Sequence, residues 1–241
     1  MIDPVLLKIG IFEIRWYGLV YVLGFLLVYF LLNKYRNRVG LNEEDVESYV
    51  FYLILGTVIG ARLFHVFIWD FSYYSNHVLD IFKLWEGGMA FCGGFFGSIL
   101  TSYIFCKKKK ISFLKLGDVV VIPAILALSL GRIANFVNQE LWGTVTNFKY
   151  CVDFDGECRH PYQIYSAIKR FFIFVVLFSL NLKKRKDGLI FWSFICLTSF
   201  GRFFLDFLKD ETKYLSLTIA QYFSIIVFII SFYILIRDYW R

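Results

Sequence analysis

Apolar residues run along this chain in long blocks separated by short polar breaks, and a helix that crosses a bilayer needs about 20 of them in succession. Seven blocks approach that length, at roughly 17–33, 49–68, 89–106, 117–137, 163–182, 189–208 and 217–236. The pattern predicts an all-α, polytopic membrane protein of about seven transmembrane helices. Two connections are longer than the rest, about 69–88 and 138–162, and loops of that length in a compact protein are often functional. The second holds Asp153, Asp155 and Glu157 and reads as a small extracytoplasmic cap. Glycines recur inside the spans (Gly56 and Gly60; Gly93, Gly94 and Gly97), as close packing between membrane helices permits. With no internal repeat or low-complexity linker, residues 1–241 are expected to form a single integral-membrane domain.

Composition removes the soluble alternative. Hydrophobic residues make up 59% of the chain and the mean hydropathy is +0.61, leaving too few polar side chains to cover a water-facing surface. The 21% aromatic content suits interfacial belts of Trp and Tyr. The net charge of +7 raises the question of nucleic acid, but the basic residues sit in short runs between apolar blocks, not along one face with stacking aromatics. Nucleic acid is therefore not an expected partner.

The placement of those charges sets the topology. Lys34, Arg36 and Arg38, Lys107 to Lys110 with Lys115, Lys183, Lys184, Arg185 and Lys186, and Arg237 and Arg241 fall on one side of seven spans. The other side carries half as many: Lys8, Arg15, Lys83, Lys149, Arg159, Lys209 and Lys213. The positive-inside rule then places the N-terminus outside and the C-terminus in the cytoplasm. The start, MIDPVLLKIGIFEIRWYG, lacks a basic n-region, an apolar run and a small-residue cleavage site. No removable signal peptide is expected, and the first span serves as the insertion signal. Among five cysteines (Cys92, Cys106, Cys151, Cys158 and Cys196) none forms a CxxC pair, so no metal site is expected. Cys151 and Cys158 share one loop; a local disulfide there, if the loop is extracytoplasmic, and two free thiols are both open readings.

Five basic residues fall within or at the edge of predicted spans: Arg62, Arg132, Lys169, Arg170 and Arg202. A charge at the bilayer centre costs at least about 2.5–3.5 kcal/mol on insertion scales, so it normally faces a cavity or a partner. Lys169 and Arg170 lie near a predicted boundary and are accounted for by snorkelling. The three arginines beside glycine or small residues say more. Arg132 lies in GRIANFVNQELWG, where Arg132, Asn135 and Gln139 share one helical stripe, with Asn138 and Glu140 close behind. Arg202 has Asp206 four residues on, within pairing reach. Arg62 precedes His65 by three residues. A guanidinium fork matches the oxygens of a phosphate, so arginines converging inside a bilayer point to a lipid phosphate. The plainer alternative pairs each with an internal carboxylate such as Asp206, Asp118 or Glu140.

The stretch GRIANFVNQELWG resembles the signature of the prolipoprotein diacylglyceryl transferases. RWYGLVY, GARLFHV, WEGGMAFCGGFFG, HPYQIY and GRFFLDFLKDE match that family in the same order, from about residue 15 to 225. The resemblance implies a seven-helix inner-membrane enzyme with its N-terminus outside, in agreement with the charges. It implies transfer of the diacylglyceryl group of phosphatidylglycerol to the lipobox cysteine thiol of a prolipoprotein. A thioether forms and glycerol phosphate leaves, with no metal or organic cofactor. The expected partners are phosphatidylglycerol, prolipoprotein signal peptides and membrane lipids, and the expected state is a monomer. By motif, Arg132 and Arg202 correspond to the family's essential arginines, and Tyr17, Asn135, Glu140 and Gly143 to further positions it depends on. In chemical terms Arg132 and Arg202 would stabilise the departing phosphate. Tyr17, Asn135 and Gly143 belong to the lipid-binding set, joined by Tyr21 on the same helix face as Tyr17, and Glu140 would orient an arginine or a headgroup hydroxyl.

The chain also departs from the family. Where the family usually has histidine in a GGMSFHGG-like stretch, this sequence reads GGMAFCGG, with Cys92. A thiol is a poor substitute for a base, and His65, one turn from Arg62, is the candidate replacement beside Cys92 itself. Ser166 stands where the family often has Glu, and Ala220 where it often has Gly. A catalytically impaired, lipid-binding relative is one alternative reading. A small anion transporter is another, against which stands the lack of an inverted repeat.

Overall fold

The computed structural model describes residues 5–9, 12–154 and 156–240; Asp155 and Arg241, both counted above, lie outside the described residues. A hairpin of β1 (Val5–Ile9) and β2 (Phe12–Arg15) leads into α1 (Trp16–Lys34). A single turn, α2 (Arg36–Val39), precedes α3 (Glu43–Phe64), which runs on as a π-helical turn at His65–Trp69 and is followed by the short α4 (Phe71–Tyr74). Two 3-10 turns, Val78–Phe82 and Leu84–Glu86, lead to α5 (Phe91–Lys109) and α6 (Phe113–Val137). A second antiparallel hairpin, β3 (Val152–Phe154) with β4 (Glu157–Arg159), leads to α7 (Tyr162–Asn181). Then come α8 (Leu189–Leu205), a 3-10 turn at Asp206–Leu208, and α9 (Ile219–Tyr239).

Every predicted span is a helix. Six of them, Trp16–Lys34, Glu43–Trp69, Phe113–Val137, Tyr162–Asn181, Leu189–Leu208 and Ile219–Tyr239, are long and apolar enough to cross a bilayer. The seventh, α5, has 19 residues, but its Gly93, Gly94, Gly97, Ser98, Thr101, Ser102 and terminal lysines lower its hydropathy. The α3 helix starts six residues before its predicted span because Asn42 and Asp45 form a capping box, which carries the helix past the apolar stretch. The helices turn apolar side chains outward: Phe172, Phe223, Ile226 and Ile229 are each more than half exposed. Polar residues such as Gln163, Gln221, Ser224 and Ser231 are buried. That inside-out distribution requires lipid as solvent, and the protein is a multi-pass membrane protein.

The chain divides into two compact units: residues 28–116, and the residues up to Leu27 together with those from Gly117 onward. The first is built on α3 against α5. A Cβ placed on Gly60 would lie 2.4 Å from the Gly93 carbonyl oxygen, and one on Gly97 would lie 2.1 Å from that of Gly56. Two small-xxx-small faces therefore meet backbone to backbone. Tyr49 adds a hydrogen bond to Ser102 at 2.9 Å, and Lys109 pairs with Asp45.

Arg62, 4% exposed, holds the loop of this unit. Its Nε donates to Ile81 O (2.9 Å), Nη1 to Gly87 O and Gly88 O (2.6 and 3.1 Å), and Nη2 to Asp80 O and Lys83 O (2.5 and 3.3 Å). The Tyr74 ring lies 5.1 Å away. Both the expectation of a phosphate ligand and that of a carboxylate partner are corrected here. The guanidinium is spent on backbone carbonyls that a loop near lipid must satisfy.

In the second unit, α8 packs along α9 and beside α7. The Asp118 carboxylate of α6 accepts from Gly188 N (2.6 Å) and Phe191 N (2.7 Å), capping α8 from a neighbouring helix. The cap expected at 138–162 is the β3–β4 hairpin, closed by a Cys151–Cys158 disulfide. Asp153 accepts from Gly156 N in its turn, and Arg159 binds Asp210 (2.6 Å), Glu157 and the Trp142 face. The Asp210 carboxylate, with Glu157, raises the Arg159 pKa above its ordinary value.

Candidate functional site

The predicted signature forms the end of α6 and the turn after it. Asn135, 5% exposed, donates from Nδ2 to the Tyr17 hydroxyl of α1 and to Glu140 Oε2 (3.2 Å); its Oδ1 lies 3.5 Å from Arg132 Nη1. Asn138 Nδ2 donates to the other Glu140 oxygen at 3.3 Å. The amides thus hold Glu140 between them, and Arg132, whose one hydrogen bond to a described residue is at that 3.5 Å limit, keeps its remaining donors available. Tyr21 follows one turn after Tyr17, 47% exposed and without a hydrogen bond among the described residues.

The turn carrying Glu140 is backbone-strained. Gln139 and Leu141 both have φ of 57°, left-handed values that cost a side chain-bearing residue about 1–2 kcal/mol each. Such a conformation persists only where its surroundings impose it. Gln163 Nε2 donates to Glu140 O (2.6 Å), Glu140 N to Asn135 O (2.9 Å) and Gln139 N to Phe136 O (3.1 Å). Gly143 ends the turn. Its N–H donates to His160 O (3.1 Å), and a Cβ on it would lie 2.6 Å from His160 O and 2.7 Å from Leu208 O. Only glycine fits between those two strands of chain, so Gly143 fixes the turn through its backbone. An open cleft of about 530 Å³ lies between Gln139–Trp142 and Lys209–Glu211.

Arg202 closes the other side. Asp206, fully buried, accepts from Arg202 Nε (3.1 Å) and from the Tyr162 hydroxyl (2.5 Å). The predicted i,i+4 pair therefore exists, and it anchors Arg202 by one edge while the side chain stays about half exposed. Tyr162, 44 residues distant in sequence from Asp206, had no sequence signal as its partner. Snorkelling does not account for Lys169 and Arg170, which the structure places in the same cluster. The charges of Arg132, Arg202 and Asp206 act on both, and Arg170 donates to Ser166 O (3.2 Å) and Ser166 Oγ. Their signal was legible: with Tyr162 and Ser166 they follow i, i+4, i+7, i+8 along one face of α7.

The two candidate bases belong to the other unit. His65 Nε2 lies 3.5 Å from Asp70 Oδ2, and its buried Nδ1 has no hydrogen-bond partner among the described residues. The ring packs against Gly88 and the edges of Trp69 and Tyr74. Cys92 is exposed in the first turn of α5.

Fold and cluster together define a class: a multi-pass helical membrane protein with cations, amides and carboxylates gathered where α1, α6, α7 and α8 end. The family model described as prolipoprotein diacylglyceryl transferase matches residues 4–237, and the chain belongs to that family. It is 38% identical over 222 residues to a phosphatidylglycerol–prolipoprotein diacylglyceryl transferase of Geobacter sulfurreducens, covering 90% of this chain and 85% of the relative. The same enzyme of Ehrlichia ruminantium is 36% identical over 248 residues, covering 97% and 96%. That of Rickettsia africae is 41% identical over 184 residues, covering 74% and 70%.

Proposed function

We propose that this chain acts as a single-domain phosphatidylglycerol–prolipoprotein diacylglyceryl transferase. The observation that carries the reading is the Tyr17–Asn135–Glu140–Arg132 cluster, whose Arg132 charge acts on Tyr162 of the Arg202–Asp206–Tyr162 group, in a chain of this family. Arg132 and Arg202 bind the lipid phosphate, Asn135, Tyr17 and Tyr21 the headgroup side, and Glu140 a headgroup hydroxyl or Arg132. Gly143 contributes by fixing the Glu140 turn.

The thiol sulfur of the lipobox cysteine attacks the glycerol carbon bearing the phosphate ester. A carbon–sulfur bond forms, the carbon–oxygen bond breaks, and its electron pair stays on the phosphate oxygen. Glycerol phosphate gains an ionisable oxygen, which balances the thiol proton. Preorganised guanidiniums stabilise the charge that develops there, and one cavity holding lipid and peptide contributes by proximity. For the base, His65 is the candidate over Cys92, since an imidazole is the side chain suited to general-base work and its Nδ1 has no hydrogen-bond partner among the described residues. A His65→Ala enzyme that transfers at the wild-type rate would dismiss that assignment.

The proposed location is the bacterial inner membrane, with the N-terminus periplasmic and the C-terminus cytoplasmic; the charge asymmetry supports it, as does the Cys151–Cys158 bond, which suits an oxidising compartment. The test is a transfer assay in detergent with phosphatidylglycerol and a lipobox peptide, controlled by Arg132→Ala and a peptide lacking cysteine. Thioether-linked peptide from the wild type alone is expected. Folded, lipid-bound protein that yields none would sink the reading.

A further inference from the structure

Lys169 lies seven residues into α7, about 10 Å along its axis at 1.5 Å per residue. Arg132 and Arg202 stand nearer their helix ends, about 8 and 5 Å from Val137 and Leu205 on the same count. Lys169 thus lies deeper in its helix than either arginine, with its side chain partly covered. Its stem crosses α8 at Gly201, where an added Cβ would lie 2.6 Å from Lys169 Cδ, next to Arg202. Its ammonium makes no hydrogen bond or ion pair among the described residues. The charges acting on it are those of Arg170, Arg202 and Arg132, with Asp206 the one acid. That carboxylate is already shared by Arg202 and Tyr162.

Four cations therefore face one buried carboxylate. Even with Glu140 included, which acts with Arg132 on Tyr17, basic groups outnumber acidic ones by two. Uncompensated charge away from water is expensive, so the cluster calls for an anion carrying more than one negative charge. Resting on the transferase reading, we infer that Lys169, with Arg170 beside it, is a ligand for the phosphate group as it leaves. A phosphodiester carries one negative charge; the monoester released from it approaches two near neutral pH. The extra cations thus bind the departing group more strongly than the bound lipid, and only that difference accelerates the chemical step. Lysine suits the task as a compact point charge with rotatable donors, complementary to the fixed arginine forks. The shared chemistry is a phosphate, borne by the lipid before reaction and by free glycerol phosphate after it.

The test uses full-length enzyme in phospholipid nanodiscs. Lys169→Met keeps the aliphatic stem over Gly201 without the charge, and Lys169→Arg keeps the charge. Transfer from phosphatidylglycerol to a lipobox peptide gives kcat and KM, and added glycerol phosphate, with inorganic phosphate in parallel, gives the inhibition constant. For Lys169→Met, kcat is expected to fall about tenfold or more with little change in KM. Inhibition by glycerol phosphate should weaken by a similar factor, and Lys169→Arg should restore both. Three outcomes would overturn the inference. They are unchanged kcat and inhibition in Lys169→Met, a Lys169→Arg enzyme as impaired as Lys169→Met, or a KM effect with product inhibition intact, which would put the residue on the intact lipid. Failure of the transferase reading looks different, since the wild type itself would then form no thioether.

Discussion

Arg132 and Arg202 are both arginines in membrane helices, but they are held differently. Arg202 is pinned through Nε to Asp206, a carboxylate with no exposed surface that Tyr162 also binds, and its two terminal nitrogens have no hydrogen bond among the described residues. Arg132 has one long hydrogen bond among the described residues, to Asn135, and under the proposed function its position is completed by the lipid phosphate. Replacing either by alanine removes a preorganised donor from a site where charge develops, and such losses cost about 10²–10³ in rate. Arg132→Ala and Arg202→Ala are expected to fall by that factor in kcat/KM, with Arg132→Ala unfolding near the wild-type temperature and Arg202→Ala, which leaves the buried Asp206 without its ion-pair partner, unfolding lower. Measured transfer rates beside thermal melts would check this, and an Arg202→Ala enzyme within threefold of wild type would contradict it. The Arg202–Asp206 pair was legible from its i,i+4 spacing. The hydroxyl of Tyr162 was not, because tertiary packing alone brings it to Asp206.

The elements around the site depend on small residues and on satisfied backbone. The α3–α5 contact has no room for a methyl group at Gly97, 2.1 Å from the Gly56 carbonyl oxygen for any added Cβ. Gly97→Ala must therefore push the helices apart, and overpacking of this kind costs about 1–3 kcal/mol. A lowered melting temperature in detergent is the expected result; a melt unchanged from wild type would refute the close approach. Arg62 presents a second case. Its five hydrogen bonds go to carbonyls of residues 80–88, and Arg62→Ala leaves buried acceptors without donors, a loss of about 3 kcal/mol or more. Hydrogen exchange should show residues 78–88 losing protection, whereas a loop as protected as in the wild type would dismiss the latch. Around it, the Lys83 ammonium and the Tyr73 hydroxyl hold the Asp80 carboxyl below the usual carboxylate range. A carboxylate depressed in the folded state adds stability that is present at neutral pH and lost as pH falls through its lowered value.

At the scale of the whole molecule the question is orientation. Basic residues gather in the connections after α1, α5 and α7 and behind α9, while the disulfide lies in the connection between α6 and α7. Both features agree with the proposed orientation, that connection outside and the C-terminus inside. A fluorescent-protein fusion at the C-terminus should light up in cells, and alkaline phosphatase inserted at residues 146–150 should be active. The opposite pair of results would reverse the topology. The disulfide closes a short loop, so chain entropy gives it about 2–3 kcal/mol. A Cys151→Ser, Cys158→Ser enzyme should melt lower while transferring at the wild-type rate, provided the Glu140 turn stays in place.

The sequence by itself determined the class and most of the wall of the site. Hydropathy is a sum over neighbours along the chain, so the seven helices could be read from it. The stripe Arg132, Asn135, Gln139 and the pair Arg202–Asp206 repeat at helical spacing, so local geometry was enough to find them. Tertiary structure decided what depends on residues distant in sequence. It turned Arg62 from a phosphate ligand into a loop latch, because the carbonyls it binds lie 18–26 residues away. It closed the Cys151–Cys158 bond, an outcome the spacing left open. And it placed Lys169 and Arg170 in the cluster, because packing brings α7 against α8, where the absence of a side chain at Gly201 lets the lysine stem pass toward Arg202 and Asp206.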